Sequence, residues 1–109
     1  MILVVGGAFQ GKVDFVINEL KIEENKIFKD FHLKMKSIIN DNKSVDEFIN
    51  YIFNSGFDAI ISDEVGSGIV PIDKGERVWR EEVGRALCEI VKKCDEVWRV
   101  QIGIGTRIK

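Results

Sequence analysis

Four apolar residues, Ile2-Leu3-Val4-Val5, run directly into Gly6-Gly7-Ala8-Phe9-Gln10-Gly11-Lys12, and no other stretch of the 109-residue chain restricts its fold as much. A run this short, β-branched and without polar alternation, reads as a strand buried on both faces, the kind found in parallel sheets covered by helices. It is too short for the apolar region of a secretory signal or for a membrane span. Beyond Gly11, Val13, Val16, Ile17 and Leu20 fall at helical spacing with polar residues between them. They predict an amphipathic helix that fades near Lys21. Strand, glycine loop and helix in that order make a βα unit. The expectation is an α/β fold in three layers, a small and mostly parallel sheet flanked by helices, with residues 1–109 as a single domain.

The rest of the chain continues the alternation. A short strand is expected within Lys26 to Phe31 and a helix over Leu33 to Ile39. Ser44 and Glu47 have the spacing of a capping box, Val45, Phe48, Ile49, Ile52 and Phe53 form the stripe of the helix that follows, and Gly56 stands where a left-handed cap belongs. Phe57 to Ser62 reads as a strand that ends in Asp63-Glu64, followed by a loop at Gly66, Gly68 and Pro71. The longest helix is predicted from Asp73 to Cys94, carrying Trp79, Val83, Leu87, Ile90 and Val91 on its apolar face. A last strand is predicted from Glu96 to Ile104, with Trp98, Val100 and Ile102 on one side. Cys88 and Cys94 are six apart in one helix and point in different directions, which predicts two buried thiols without a bridge.

Hydrophobic residues at 45% and charged residues at 31% are an ordinary globular balance, enough for one core and too apolar for disorder. A net charge of −2 argues against a general nucleic-acid or anionic-membrane binder, so any anion must be met by a local cluster. The cytoplasm is the expected compartment.

Gly6 to Lys12 fits the first seven positions of the phosphate-binding loop G-x-x-x-x-G-K, between a predicted strand and a predicted helix. The glycines permit a tight turn with inward-facing amides, and Lys12, read as an exposed loop charge, supplies a cation for β- and γ-phosphates. Residues Gly6, Gly7, Ala8, Phe9, Gln10, Gly11, Lys12 and Val13 are therefore the candidates for binding ATP or GTP. Val13 stands where Ser or Thr would ligate Mg²⁺, so a metal must be held by other groups. Asp63 and Glu64, at the end of a strand, are the candidate metal ligands. The alternatives are a glycine-rich turn that binds nothing and an acidic pair that caps its own loop. Arg77, Arg80 and Arg85 on the long helix are suited to clamping phosphates or to pairing with neighbouring glutamates. His32, the single histidine, is an acid-base or nucleophile candidate, or a structural residue.

One segment is more specific. Asp63-Glu64-Val65-Gly66-Ser67-Gly68-Ile69-Val70-Pro71, then Arg77, Arg80, Gly84-Arg85, Asp95-Glu96-Val97-Trp98 and Gly103-Ile104-Gly105 before Ile108-Lys109, resembles the adenosylcobinamide kinase / adenosylcobinamide-phosphate guanylyltransferase family. The loop from Ile2 to Lys12 is similar to that family's P-loop. The resemblance implies a P-loop NTPase fold of RecA-like type and assembly into a homo-oligomer, a trimer in the family. It also implies phosphorylation of adenosylcobinamide and transfer of GMP through a guanylylated histidine. Members are longer, and the segment they add lies between the first helix and the Asp63-Glu64 strand, where that histidine sits. His32 is the residue available for its role here. On this reading Lys12, Glu64, Arg80 and His32 are catalytic, Asp63 and Glu64 hold Mg²⁺, and the attacking alcohol approaches near Gly66 to Val70. The small-molecule partners are a nucleotide and a corrinoid, with no nucleic acid and no membrane span. The alternative is a catalytically reduced nucleotide- or corrinoid-binding module that works with a partner chain.

Overall fold

The computed structural model describes residues 1–65 and 73–109; the loop expected at Gly66, Gly68 and Pro71, and with it the expected approach of the alcohol, lies outside them. The element order is β1 (Ile2–Gly6), α1 (Lys12–Asn18), a short 3₁₀ turn (Glu24–Lys26), β2 (Ile27–Phe28), α2 (Phe31–Asn40), α3 (Val45–Phe53), β3 (Ala59–Asp63), α4 (Lys74–Lys93), β4 (Glu96–Gln101) and β5 (Ile104–Arg107). The five strands form one sheet in the order β2-β3-β1-β4-β5. β1 pairs in parallel with β3 and β4, β2 pairs in parallel with β3, and β5 alone runs antiparallel, against β4.

Side-chain alternation along the strands divides the interior in two. Leu3, Val5, Phe28, Ile60 and Val97 point to the face covered by α2, α3 and α4, where they meet Phe31, Met35, Ile49, Ile52, Val83 and Ile90. Val4, Ile27, Ala59, Ile61 and Val100 point to the other face, where α1 contributes Phe15 and Val16. The chain is therefore an α/β fold of three layers, with the sheet in the middle and helices on both faces, as the apolar run of β1 requires.

Local signals place the helices. The Ser44 hydroxyl accepts from the Glu47 amide at 3.2 Å at the start of α3, and the Asp73 carboxylate accepts from the Glu76 amide at 2.9 Å at the start of α4. Each satisfies a helical N–H that has no partner within its own turn. Gly56 is left-handed, with φ 83°, two residues beyond the cap of α3.

Three expectations are corrected. The strand expected within Lys26 to Phe31 shrinks to two residues, because a 3₁₀ turn takes its start and the N-cap of α2 its end. The strand expected to run to Ile104 breaks at Ile102-Gly103, whose φ values of 52° and 74° make a two-residue turn with both central residues left-handed. This geometry suits the twist of a tight hairpin, so the chain folds back as β5 and Ile102 is left 85% exposed. Finally, Cys94 is buried, its thiol pushed up to about 11 chiefly by loss of solvent, but Cys88 is exposed; both are free.

Candidate functional site

After β1 the chain crosses to the face of α1, and after β3 it crosses to the face of α4, although β1 and β3 are neighbours in the sheet. Connections that leave adjacent parallel strands toward opposite faces open a crevice at the strands' carboxyl ends, the usual ligand position in such sheets. A cavity of about 440 Å³ lies here, lined by residues 8–14 of the loop and α1, by Asp30, His32 and Leu33 at the start of α2, and by Ile61 and Asp63 of β3.

Register brings the charged groups together. Gly6, the first residue of the loop motif, pairs with Asp63 across the parallel ladder, so the acidic end of β3 lies beside the start of the loop. Gly6 is itself compelled: a Cβ there would sit 2.4 Å from the Val100 carbonyl oxygen. Lys12, the first residue of α1, turns back into the crevice, and its Nζ donates to the Gly7 carbonyl at 2.6 Å and lies 2.7 Å from Asp63 Oδ1. Only 8% of Lys12 is exposed, which corrects its reading as an exposed loop charge.

His32 is buried against the same carboxylate. Its Nδ1 accepts from the Asp63 backbone N–H at 3.1 Å, and its Nε2 lies 3.3 Å from Asp63 Oδ2. A ring that accepts at Nδ1 carries its proton on Nε2 when neutral, which directs that N–H at the carboxylate. Burial holds the imidazole below its ordinary pKa, opposed by the charges of Asp63 and Asp30 and assisted by those of Lys12 and Lys36. The Trp79 indole donates to the His32 carbonyl at 2.7 Å and ties this corner of the site to α4.

The other candidates lie elsewhere. Glu64 faces Arg99 of β4, whose Nε donates to Glu64 Oε1 at 2.8 Å, and Glu64 is not part of the cavity wall. The Arg80 guanidinium donates through Nε to the Val65 carbonyl. Arg85 is on the solvent side of α4, 3.0 Å from Glu81 and 3.5 Å from Glu82, and Arg77 is exposed. Thus Lys12, His32 and Asp63 are brought together with Ala8 to Val13, whereas Glu64 and the three arginines are not. Asp14, Asp30, Leu33 and Ile61 line the cavity without having been marked as site residues in the sequence, and of these Asp30 is the most informative. It is left-handed, φ 55°, at the junction of β2 and α2, and its position after the last residues of a parallel strand is the signal that marks it.

Among the described residues no cluster of three or more His, Cys, Asp or Glu side chains is arranged to hold a metal ion. Nor is any helix among them long and apolar enough to cross a membrane.

Comparison with known proteins agrees with this architecture. The model of the family described as cobinamide kinase / cobinamide phosphate guanyltransferase matches residues 28–108. The bifunctional adenosylcobalamin biosynthesis protein CobU of Salmonella typhimurium is 42% identical over 50 residues, which are 46% of this chain and 28% of the relative. The protein of the same name from Escherichia coli is 40% identical over 50 residues, with the same shares. The matched stretch therefore spans little more than a quarter of these relatives' length.

Proposed function

The chain belongs to the cobinamide kinase / cobinamide phosphate guanyltransferase family, and from that premise we propose that it binds ATP or GTP and transfers the γ-phosphoryl group to the hydroxyl of a corrinoid, adenosylcobinamide. The observation that carries this reading is the buried Lys12, held 2.7 Å from Asp63 at the carboxyl edge of the sheet and directly after a glycine loop. A cation kept in place by one carboxylate and one carbonyl is poised to exchange them for phosphate oxygens. In the proposed reaction the loop from Gly6 to Gly11 holds the β- and γ-phosphates, with Lys12 neutralising the charge that moves onto the leaving oxygen. Mg²⁺ is bound mainly through phosphates and needs one or two carboxylates from the protein. Asp63 lines the cavity and would take that part once Lys12 turns from it to the phosphates; Glu64, outside the cavity wall, and Val13, without an oxygen, would not.

His32 is assigned a positioning role. A histidine that is to accept GMP needs a free ring nitrogen, and here Nδ1 accepts from Asp63 while Nε2 faces its carboxylate. Phosphoryl transfer therefore has better geometric support than guanylyl transfer. The assembly is proposed to be a cytoplasmic homo-oligomer, a trimer by family resemblance. A second reading, nucleotide or corrinoid binding without turnover in concert with a partner chain, is favoured by Val13 and by the shortness of the segment between the first helix and the Asp63-Glu64 strand, where the family resemblance places the guanylylated histidine.

The test is calorimetric titration with ATP and GTP, with and without Mg²⁺, followed by a phosphoryl-transfer assay on adenosylcobinamide. Binding with turnover is the expected result, binding without turnover favours the second reading, and no binding sinks both. Lys12→Ala is expected to weaken triphosphate binding by about 100-fold, the loss of a strong charge-assisted contact. Since Lys12 is buried and paired, the same variant should also lose about 1–3 kcal/mol of stability.

A further inference from the structure

The turn between β4 and β5 is hydrogen-bonded to the loop after β1 at Gln10. The Gln10 carbonyl accepts from the Gly103 amide at 2.9 Å, and the Gln10 side-chain Oε1 accepts from the Ile102 amide at 2.7 Å. In a two-residue hairpin turn the hydrogen bond that closes the turn uses the flanking residues, so the two central amides point away from the hairpin. Gln10 satisfies both. The backbones also pack directly: a Cβ on Gly11 would stand 3.5 Å from the Gly103 Cα.

The segments that meet here are conformationally unusual. Phe9, Gly11, Ile102 and Gly103 all have positive φ, at 58°, 83°, 52° and 74°. Phe9 and Ile102 carry side chains that disfavour this region, and both project into solvent, 104% and 85% exposed, so packing of their own side chains does not hold them there. Strained backbone persists where its surroundings over-determine it.

We propose that Gln10 is a positioning residue that latches the phosphate-binding loop to the β4–β5 turn, and that this latch sets the loop in its phosphate-accepting shape. The inference rests on the phosphate-binding reading given above and assigns a role to one residue within it. The hairpin is then a third support of the site, beside the carbonyl and carboxylate that hold Lys12, and it reaches the loop from 92 residues further along the chain. Anchoring both amides to one glutamine fixes the Gly11 backbone that immediately precedes Lys12.

The experiment measures residue-level amide exchange and calorimetric binding of inorganic tripolyphosphate on the full chain. Gln10→Met keeps the bulk and removes the acceptor; Gln10→Asn keeps the amide but withdraws it by one methylene, and serves if the first fails to fold. Both are expected to speed exchange at Ile102 by about tenfold while leaving the amides of β1 unchanged. Both are also expected to weaken tripolyphosphate binding by about tenfold. Gln10→Glu retains the acceptor and should restore slow exchange at Ile102, a rescue that general loosening of the fold would not produce. Unchanged exchange at Ile102 in Gln10→Met overturns the latch, and so does faster exchange with undiminished affinity. Failure of the unsubstituted protein to bind tripolyphosphate overturns instead the phosphate-binding reading on which the proposal stands.

Discussion

The two faces of the sheet are built on different scales. One is covered by α2, α3 and α4, which bury Phe31, Met35, Ile49, Ile52, Val83 and Ile90 against the strands. The other is covered by α1, seven residues long, which contributes Phe15 and Val16. The larger face closes like an ordinary core. The smaller face keeps its helix short, with the Phe15 ring against Trp98 at 5.4 Å between centroids. Both faces must be covered because β1 is apolar on both, but the smaller one also starts the helix that carries Lys12. The larger part of the core lies on one side of the sheet, and the loop proposed to bind phosphate is fitted to the edge of the other.

Two neighbours on β3 test this division most severely. Ile60 faces the three helices and Ile61 faces α1, and both are buried, at 0% and 3% exposure. Truncating an isoleucine in a core costs about 2–5 kcal/mol, more where the site cannot collapse or take in water. Ile60→Ala should fall near the top of that range. Ile61→Ala should fall near the bottom, since Ile61 also lines the cavity. Chemical denaturation of the two variants gives the comparison, and equal losses would break it. The next largest effect is expected at Gly6, where a Cβ would meet a backbone carbonyl that cannot rotate away. Gly6→Ala should cost about 1–3 kcal/mol as an overpacking change and should displace Lys12 from Asp63. A stable Gly6→Ala protein with undiminished triphosphate affinity would show that β4 gives way more easily than its central place implies.

Much of this arrangement was legible in the residues themselves. The apolar β1, the glycine loop, the capping serine at position 44 and the long helix from Asp73 all rest on local chemistry, which acts within one or two turns of chain. The resemblance read from Asp63 to Lys109 agrees with the family matched over residues 28–108. What local chemistry does not specify is which separate strands lie side by side. The meeting of Lys12 with Asp63 follows from the β1–β3 register, and the pairing of Glu64 with Arg99 joins residues 35 apart. The turn at Ile102-Gly103 was hidden for another reason. Its first position usually carries Asn or Asp, and an isoleucine there reads as strand. The two bonds from Gln10 supply what the residue type does not.

The smallest expected effect concerns His32, buried at the corner where the two faces meet the site. Its imidazole is held below the ordinary value of 6.5 chiefly by burial, so the folded protein binds that proton less readily than the unfolded chain. As pH falls through the region just below 6.5 the unfolded state gains the proton first, and stability must decline across that window. Above it the histidine is neutral in both states and contributes no slope. The nearby charges act in both directions, Asp63 and Asp30 favouring the proton and Lys12 and Lys36 opposing it. Lys12→Ala should therefore raise the midpoint of His32 relative to the unsubstituted protein. Because the chain has one histidine, a proton-NMR titration of its ring reports this midpoint without overlap. A midpoint at or above 6.5 in the intact protein would mean that the Asp63 carboxylate outweighs burial. His32 would then hold Asp63 as a charged partner, and the neutral Nε2–H assigned here would be replaced by an imidazolium competing with Lys12 for the same carboxylate.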